Sequence, residues 1–315
     1  MRKLTVLYHS EELDIKAMME KAAAGRAEIT LINPWQPNVE IPEGTEALIG
    51  DIWNENIAIP PSVKWVQTSF AGMERVIPRL GPDMVLTNAS GAFGEGISEY
   101  MLMYMLMLQN QAQQYLLLQA AHEWKPMMPT PLIHGSIVTV VGLGDLGGVL
   151  ARKLKALGAV VRGVKRTASA KPDYVDELFT TDELDRALDG ADFVALCLPN
   201  TAATEKILSR ERIFALKKGA IIVNAGRGGA IDQDALVEAL REGRVLAGLD
   251  VTTPEPLPAD DPLWDAPNVI ITPHISGPGA SAYASKFNLA LFARNIDAFL
   301  SGRPLENVVD LSLGY

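Results

Sequence analysis

Three residues with chemical potential stand at equivalent places in the chain, each just after a short apolar run. Arg227 lies in "VNAGRGGAID", Glu255 in "GLDVTTPEPLP" and His274 in "ITPHISG". In an open α/β sheet, ligands bind beyond the carboxyl ends of the strands, so residues placed there converge. The three side-chain types form a working set. A guanidinium holds a carboxylate through paired hydrogen bonds and polarises the adjacent carbonyl. An imidazole titrating near neutrality gives a proton to a forming alkoxide and takes it back in reverse. A carboxylate beside that imidazole favours its charged form. Each residue alone has a plainer reading: a solvated charge for Arg227, a loop acid for Glu255, a turn cap for His274. Their order and their placement after strands favour the chemical one, in which a ketone carbon receives hydride and histidine supplies the proton.

The hydride source is written in "TVVGLGDLGGVLARKLKALG". Gly142, Gly144 and Gly147 form G-x-G-x-x-G, with Leu143, Asp145 and Leu146 filling the turn. The first glycine permits the sharp turn, the second lets backbone approach a diphosphate, and the third lets the helix pack close to the strand. The diphosphate then rests on the free N–H groups of the helix N-terminus. An apolar strand precedes the motif and an amphipathic helix follows it, which is the context a dinucleotide site requires. About twenty residues further on, such a site offers an acid to the ribose hydroxyls of NAD. Here "VVRGVKRTASA" offers Lys165, Arg166 and Thr167 instead. Two cations and a hydroxyl suit a 2′-phosphate. NADP(H) is therefore the favoured cofactor. NAD(H), held by other means beside an exposed basic turn, is the alternative.

Taken together, these segments resemble the D-isomer-specific 2-hydroxyacid dehydrogenase family, over nearly the whole chain. The likeness is most specific in "VGLGDLG", "LCLPNTAATEKIL", "LKKGAIIVNAGRGGAIDQDALVEALREGRVLAGLDVTTPEPLPADDPLW" and "NVIITPHISG", which stand in family order. Within the family, the basic turn is most like the glyoxylate/hydroxypyruvate reductase branch. The resemblance implies Arg227 as binder of the substrate carboxylate and carbonyl, Glu255 as acid partner and His274 as general acid/base. It implies that Cys197, Leu198, Pro199, Thr204, Ala225 and Gly226 join the cofactor site, with Asp250 near the nicotinamide carboxamide. It further implies that "TSFAGME" is the substrate loop: Ala71 and Gly72 receive the carboxylate on their N–H groups and Phe70 shapes the pocket. Glu74 stands where the family often has Asp, and Trp53 is either a cleft residue or core packing. The implied fold is α/β, with two Rossmann-like or flavodoxin-like parallel-sheet domains and the active site in the cleft between them. The implied partners are a small 2-oxo or 2-hydroxy acid and a second copy of the chain, a homodimer through the dinucleotide-binding domains.

The elements needed to position these residues can be read along the chain. "LTVLY", "AEITLIN", "EALIG", "VKWVQTS" and "MVLTNAS" are strand-like runs in the first third. "SIVTVVGLG", "AVVRGV", "DFVALCLP", "GAIIVNAG", "LAGLDV" and "NVIITPH" form a second series. Helical patterns cover "SEELDIKAMMEKAAAG", a stretch from Ser98 to about His122, and the chain from about Tyr283. Three prolines in "HEWKPMMPTP" separate the two series. Residues 1–98 and 287–315 are expected to form the substrate-binding domain, and 99–286 the dinucleotide-binding domain. The return of the last helix to the first domain is implied by the resemblance.

Composition excludes several other classes. A net charge of −10 over 315 residues disfavours nucleic acid as a partner. The apolar run "YMLMYMLML" is about half the length of a membrane span, so it reads as a buried helix with methionine as filler. No membrane is expected, and the N-terminus turns polar too soon for a secretory signal, which points to the cytoplasm. The one cysteine, Cys197, cannot form an internal disulfide and reads as a buried thiol. Four scattered histidines give no metal-ligand spacing, and His9, His122 and His134 read as structural or surface residues. Two rivals remain: an NAD-dependent D-3-phosphoglycerate-type dehydrogenase, and a relative that senses nucleotide without turnover. Glu255 argues against a formate dehydrogenase, which carries Gln there.

Overall fold

A computed structural model describes residues 1–10, 13–127, 132–277 and 282–311. The chain forms two compact units, one of residues 1–92 and 278–315, the other of residues 93–277.

The first unit holds β1 (Arg2–Leu7), α1 (Ile15–Ala23), β2 (Ala27–Ile32), β3 (Thr45–Gly50), β4 (Trp65–Thr68) and β5 (Val85–Thr87). All strand pairs are parallel, in the order β2-β1-β3-β4-β5. This is the flavodoxin-type order. Its strands are apolar runs because both faces are covered. Leu4, Val6, Ile29 and Trp65 pack with α1 residues Ile15 and Met19 on one side; Leu7, Leu48, Val66 and Leu86 pack on the other. Asp14 caps α1 by accepting from the Ala17 N–H at 3.0 Å. The expected Ser/Asp start is thus the aspartate, while Glu11 and Glu12 lie outside the described residues.

The second unit begins with α2 (Gly94–Gln109) and α3 (Ala112–Ala120). It continues through β6 (Ile137–Val141), α4 (Asp145–Ala156), β7 (Val160–Lys165), β8 (Glu177–Thr180), α5 (Leu184–Leu188), β9 (Phe193–Leu196), α6 (Arg210–Ala215), β10 (Ala220–Asn224), α7 (Gln233–Arg241), β11 (Val245–Leu249) and β12 (Val269–Ile271). Its seven parallel strands run β12-β11-β10-β9-β6-β7-β8. The order reverses between β6 and β9, the topological switch point at which doubly wound sheets bind dinucleotides. The last helix, α8 (Ala282–Ser301), belongs to the first unit, where Asn295 donates to Gln67 Oε1 at 2.8 Å and Leu289, Phe292 and Ile296 complete the core.

Three sequence expectations are corrected. The first unit ends at residue 92, not 98. The N-terminal turn of α2 is fastened to α4 by Lys153, which donates to the Glu95 carbonyl at 3.0 Å and pairs with its carboxylate at 2.9 Å. The return begins at 278, not 287, with Ala284 buried and Ser285 bonded to Tyr8. The single helix expected from Ser98 to His122 is two helices, broken where Gln111 takes a φ of 54°. Strand β8, with only Phe179 buried, carries too weak a pattern to be read from sequence. Pro129 and Pro131 of the proline-rich connection lie outside the described residues. Met101 and Met105 are buried while Met103 and Met107 are half-buried, because alternate residues cannot all face one side of a helix.

Candidate functional site

Strand β10 ends at Asn224, whose buried side chain builds the turn that follows. Its Oδ1 accepts from the Gly226 N–H at 3.0 Å and its Nδ2 donates to the Arg227 carbonyl at 2.9 Å. This is an Asx-type turn. A Cβ on Gly226 would lie 2.7 Å from the Leu198 carbonyl oxygen, and one on Gly228 would lie 2.0 Å from the Thr252 carbonyl oxygen. Glycine at these positions thus lets the Arg227 turn sit against the loops after β9 and β11. Arg227 Nη1 donates to the Gly226 carbonyl at 2.8 Å.

The loop after β11 carries Glu255. One carboxylate oxygen accepts from the Thr252 N–H at 3.0 Å; the other lies 2.8 Å from His274 Nδ1. A carboxylate only accepts, so Nδ1 carries the proton of this bond. Nε2 is left as the nitrogen available for proton transfer. Burial alone raises the Glu255 pKa, but the bonds from His274 and Thr252, with the charges of His274 and Arg227, outweigh it and hold the carboxyl below its usual range. The bond to Glu255 lifts the His274 pKa above its ordinary value. Partial burial and Arg227 oppose this lift, and the charges of Glu255 and Asp250 add to it. Arg227 acts electrostatically on both partners, so the three sequence-predicted residues are brought together.

His274 sits at a φ of 52°, in the left-handed region. For a side chain other than glycine, surrounding contacts must stabilise that conformation. The contacts converge on Asp250, which is 1% exposed. Its carbonyl accepts from the His274 N–H at 2.8 Å. Oδ1 of its carboxylate accepts from the Ile275 N–H at 2.9 Å and Thr272 Oγ1 at 2.5 Å. Oδ2 accepts from the Ser276 N–H at 2.9 Å and Ser276 Oγ at 2.5 Å. Sequence reading named Asp250 only through the family likeness and missed Thr272 and Ser276, which clamp the histidine turn.

The glycine turn lies where expected, between β6 and α4. Gly142 has a φ of 96°, and a Cβ there would come within 2.5 Å of the Cys197 carbonyl oxygen. A Cβ on Gly147 would fall 1.8 Å from the Gly142 carbonyl oxygen, so only glycine lets α4 begin this close. Gly144 is different: it is exposed, and a Cβ there would meet nothing within 4 Å. Its backbone is open to a ligand at the helix N-terminus. Leu143 covers Gly163 of β7, Leu146 is half-buried and Asp145 exposed. Across the switch point, the Cys197 N–H bonds the Val141 carbonyl at 2.9 Å, burial pushes the Cys197 thiol up, and Thr204 Oγ1 donates to the Pro199 carbonyl at 2.7 Å. Lys165 ends β7 half-buried, its ammonium 3.2 Å from the neutral Ser169 hydroxyl; Arg166 and Thr167 are exposed.

The "TSFAGME" loop follows β4 in the first unit. The Phe70 carbonyl accepts from Thr68 Oγ1 at 2.7 Å and from the Ala89 N–H at 3.1 Å; Ala71 is exposed and Gly72 half-buried. Trp53 meets Phe70 edge to face at 5.1 Å and carries Arg75 on its own ring at 4.9 Å. Trp53 is 44% exposed, which settles against its being core packing. Among the described residues no helix is long and apolar enough to cross a membrane.

A doubly wound parallel sheet with a glycine turn at its switch point, and a carboxylate-paired histidine at the strand ends, defines a dinucleotide-dependent dehydrogenase. Residues 102–276 match the family model described as D-isomer specific 2-hydroxyacid dehydrogenase, NAD binding domain. The chain is 33% identical over 293 residues to glyoxylate/hydroxypyruvate reductase A of Serratia proteamaculans, covering 90% of this chain and 91% of that one. Among solved structures it is similar to an NADPH-dependent glyoxylate/hydroxypyruvate reductase from Sinorhizobium meliloti in complex with NADP and sulfate. The TM-score is 0.84, with 28% identity over 100% of both chains. A D-isomer specific 2-hydroxyacid dehydrogenase from Xanthobacter autotrophicus Py2, in complex with NADPH and MES, gives a TM-score of 0.82 with 28% identity over 100% of both. The chain belongs to the D-isomer specific 2-hydroxyacid dehydrogenase family. It is an NAD(P)-dependent oxidoreductase.

Proposed function

We propose that the protein uses NADPH to reduce a small 2-oxo acid of the glyoxylate or hydroxypyruvate type to the D-2-hydroxy acid. The observation that carries this reading is the His274–Glu255 pair, held beside Arg227 at the strand ends of the dinucleotide-binding unit. The substrate class is supported by the reductase of Serratia proteamaculans, and the cofactor by the NADP(H) complexes of the two similar structures together with Lys165, Arg166 and Thr167.

The open backbone at Gly144 fits a diphosphate on the first turn of α4, flanked by Gly142, Leu143, Asp145, Leu146 and Gly147. Cys197, Leu198, Pro199, Thr204, Ala225 and Gly226 line the same end of the sheet. A bound reduced nicotinamide supplies the hydride. Arg227 holds the substrate carboxylate and polarises the ketone. His274 donates the proton on Nε2 to the carbonyl oxygen as the alkoxide forms, and Glu255 stabilises the imidazolium that precedes transfer. Phe70, Ala71 and Gly72 bind substrate, with the two amides as donors to its carboxylate.

The functional protein is a homodimer through its dinucleotide-binding units. Helix α3 buries none of its residues, and it exposes Leu116 at 60%, Leu117 at 65% and Tyr115 at 41%. Three large apolar side chains left exposed on one helix are the surface this reading assigns to the partner. The reading is tested by NADPH oxidation with glyoxylate, hydroxypyruvate, pyruvate and phenylpyruvate, run beside His274→Ala. Loss of a general acid costs about 10²- to 10⁴-fold in turnover. Normal turnover in that variant refutes the role.

A further inference from the structure

We infer that Tyr104, a buried residue of α2, is a positioning residue for the catalytic histidine, acting through a hydroxyl relay to Asp250. Tyr104 is wholly buried, and its hydroxyl lies 2.5 Å from Thr272 Oγ1. Thr272 has a single proton and donates it to Asp250 Oδ1, also at 2.5 Å. The tyrosine must therefore be the donor. Burial raises its pKa, which keeps that proton in place across the working range, although the bond to Thr272 acts against this.

The relay has a defined end point. An ionised carboxylate has about four acceptor sites. Asp250 uses them on Thr272, Ile275 and both the N–H and hydroxyl of Ser276. These donors bracket His274 on both sides, and the His274 N–H is itself bonded to the carbonyls of Asp250 and Thr272. The left-handed turn that aims the imidazole at Glu255 is thus wrapped around one carboxylate, and Tyr104 polarises the bond that starts the wrapping. Sequence and packing agree on this placement. A Cβ on Gly248 of β11 would lie 2.6 Å from the Tyr104 side chain, so the strand leading to Asp250 is bare where the tyrosine crosses it. The charged groups facing His274 are Glu255, Arg227 and Asp250; those facing Tyr104 are the charged Asp250 and the neutral phenol of its helix neighbour Tyr100.

The inference rests on His274 being the proton donor. Its test compares Tyr104→Phe, Thr272→Val and the double variant, following hydroxypyruvate reduction by NADPH against pH. Loss of one hydrogen bond from the relay is expected to lower kcat about three- to ten-fold with the KM for NADPH unchanged. The alkaline limb of the profile moves to lower pH, because a loosened turn weakens the contact that raises the His274 pKa. The double variant is no slower than Thr272→Val, since both act on one path. Should Tyr104→Phe fail to fold, Thr272→Val alone carries the kcat and pH-limb comparison. A lowered Tm with wild-type kcat and pH limb, or losses that multiply in the double variant, overturns the relay. If His274→Ala is inactive while Tyr104→Phe and Thr272→Val are normal, only the relay falls. If His274→Ala keeps its turnover, the proton-donor reading falls and the relay with it.

Discussion

Replacing Lys165 and Arg166 by alanine removes the two cations at the end of β7 and asks which cofactor they select. Lys165 is half-buried and donates to a neutral hydroxyl, so no carboxylate cancels its charge in that bond; Arg166 is exposed. A hydrogen bond to a charged group is worth about 1.5–3 kcal/mol, and solvent exposure places Arg166 at the low end. With ~1.5 kcal/mol for each residue and 1.4 kcal/mol per tenfold, either single variant weakens kcat/KM for NADPH about tenfold. The double variant weakens it by more than either single one, up to about a hundredfold, the additive limit for two neighbours that share one phosphate. NADH has no 2′-phosphate, so its kcat/KM stays near the wild-type value. The preference of the wild type also declines as salt rises, because exposed charges are screened over about 10 Å at 0.1 M. Steady-state absorbance assays with each cofactor at saturating 2-oxo acid give both constants. Equal losses with NADPH and NADH, or an unchanged ratio, refute the assignment of the basic turn to phosphate recognition.

Glu255→Gln keeps an acceptor for His274 Nδ1 but removes the charge, so the His274 pKa falls. In the proposed mechanism reduction needs protonated histidine, and its rate is lost as pH rises through that pKa; the alkaline limb of the variant therefore lies at lower pH. The same pair favours the folded state in full above the usual carboxylate range and below the ordinary imidazole pKa. That contribution fades as pH falls through the depressed Glu255 pKa and as pH rises through the raised His274 pKa, which thermal unfolding across pH will register. Gly144→Ala leaves Tm unchanged but raises the Kd for NADPH, since its Cβ enters only the open space at the helix terminus. Gly147→Ala lowers Tm as well, because its Cβ collides with the Gly142 carbonyl. Leu117→Asp places a charge on exposed α3 and is expected to convert the proposed dimer to monomer by light scattering; a monomeric wild type refutes the interface.

Most strands were legible because a parallel sheet covered on both faces needs short, continuous apolar runs, and the runs are bounded by Gly, Pro or Asn. Strand β8 escaped because an edge strand with one buried side chain needs no such run. The break at Gln111 escaped because neither Asn110 nor Gln111 is a helix breaker; local pattern cannot show a left-handed residue set by its surroundings. The boundary at residue 92 depends on Lys153 reaching Glu95 across 58 positions. Within the site, Arg227, Glu255 and His274 were legible because polar residues just past apolar strands stand out. Tyr104 did not stand out. It lies in a helix of methionine, leucine and tyrosine that reads as core, and its partner Thr272 is 168 residues away. Asp250 was legible as a residue but not as a device, because its four donors come from a turn that forms only when the chain folds. A side chain proposed to meet substrate stands in a loop just past a strand and is therefore displayed by the pattern. A side chain that aims it can sit inside an apolar helix, where a hydroxyl counts as packing until its partner is found. The histidine turn combines both kinds, so the proposed proton-donor role was open to sequence reading and the left-handed geometry was not.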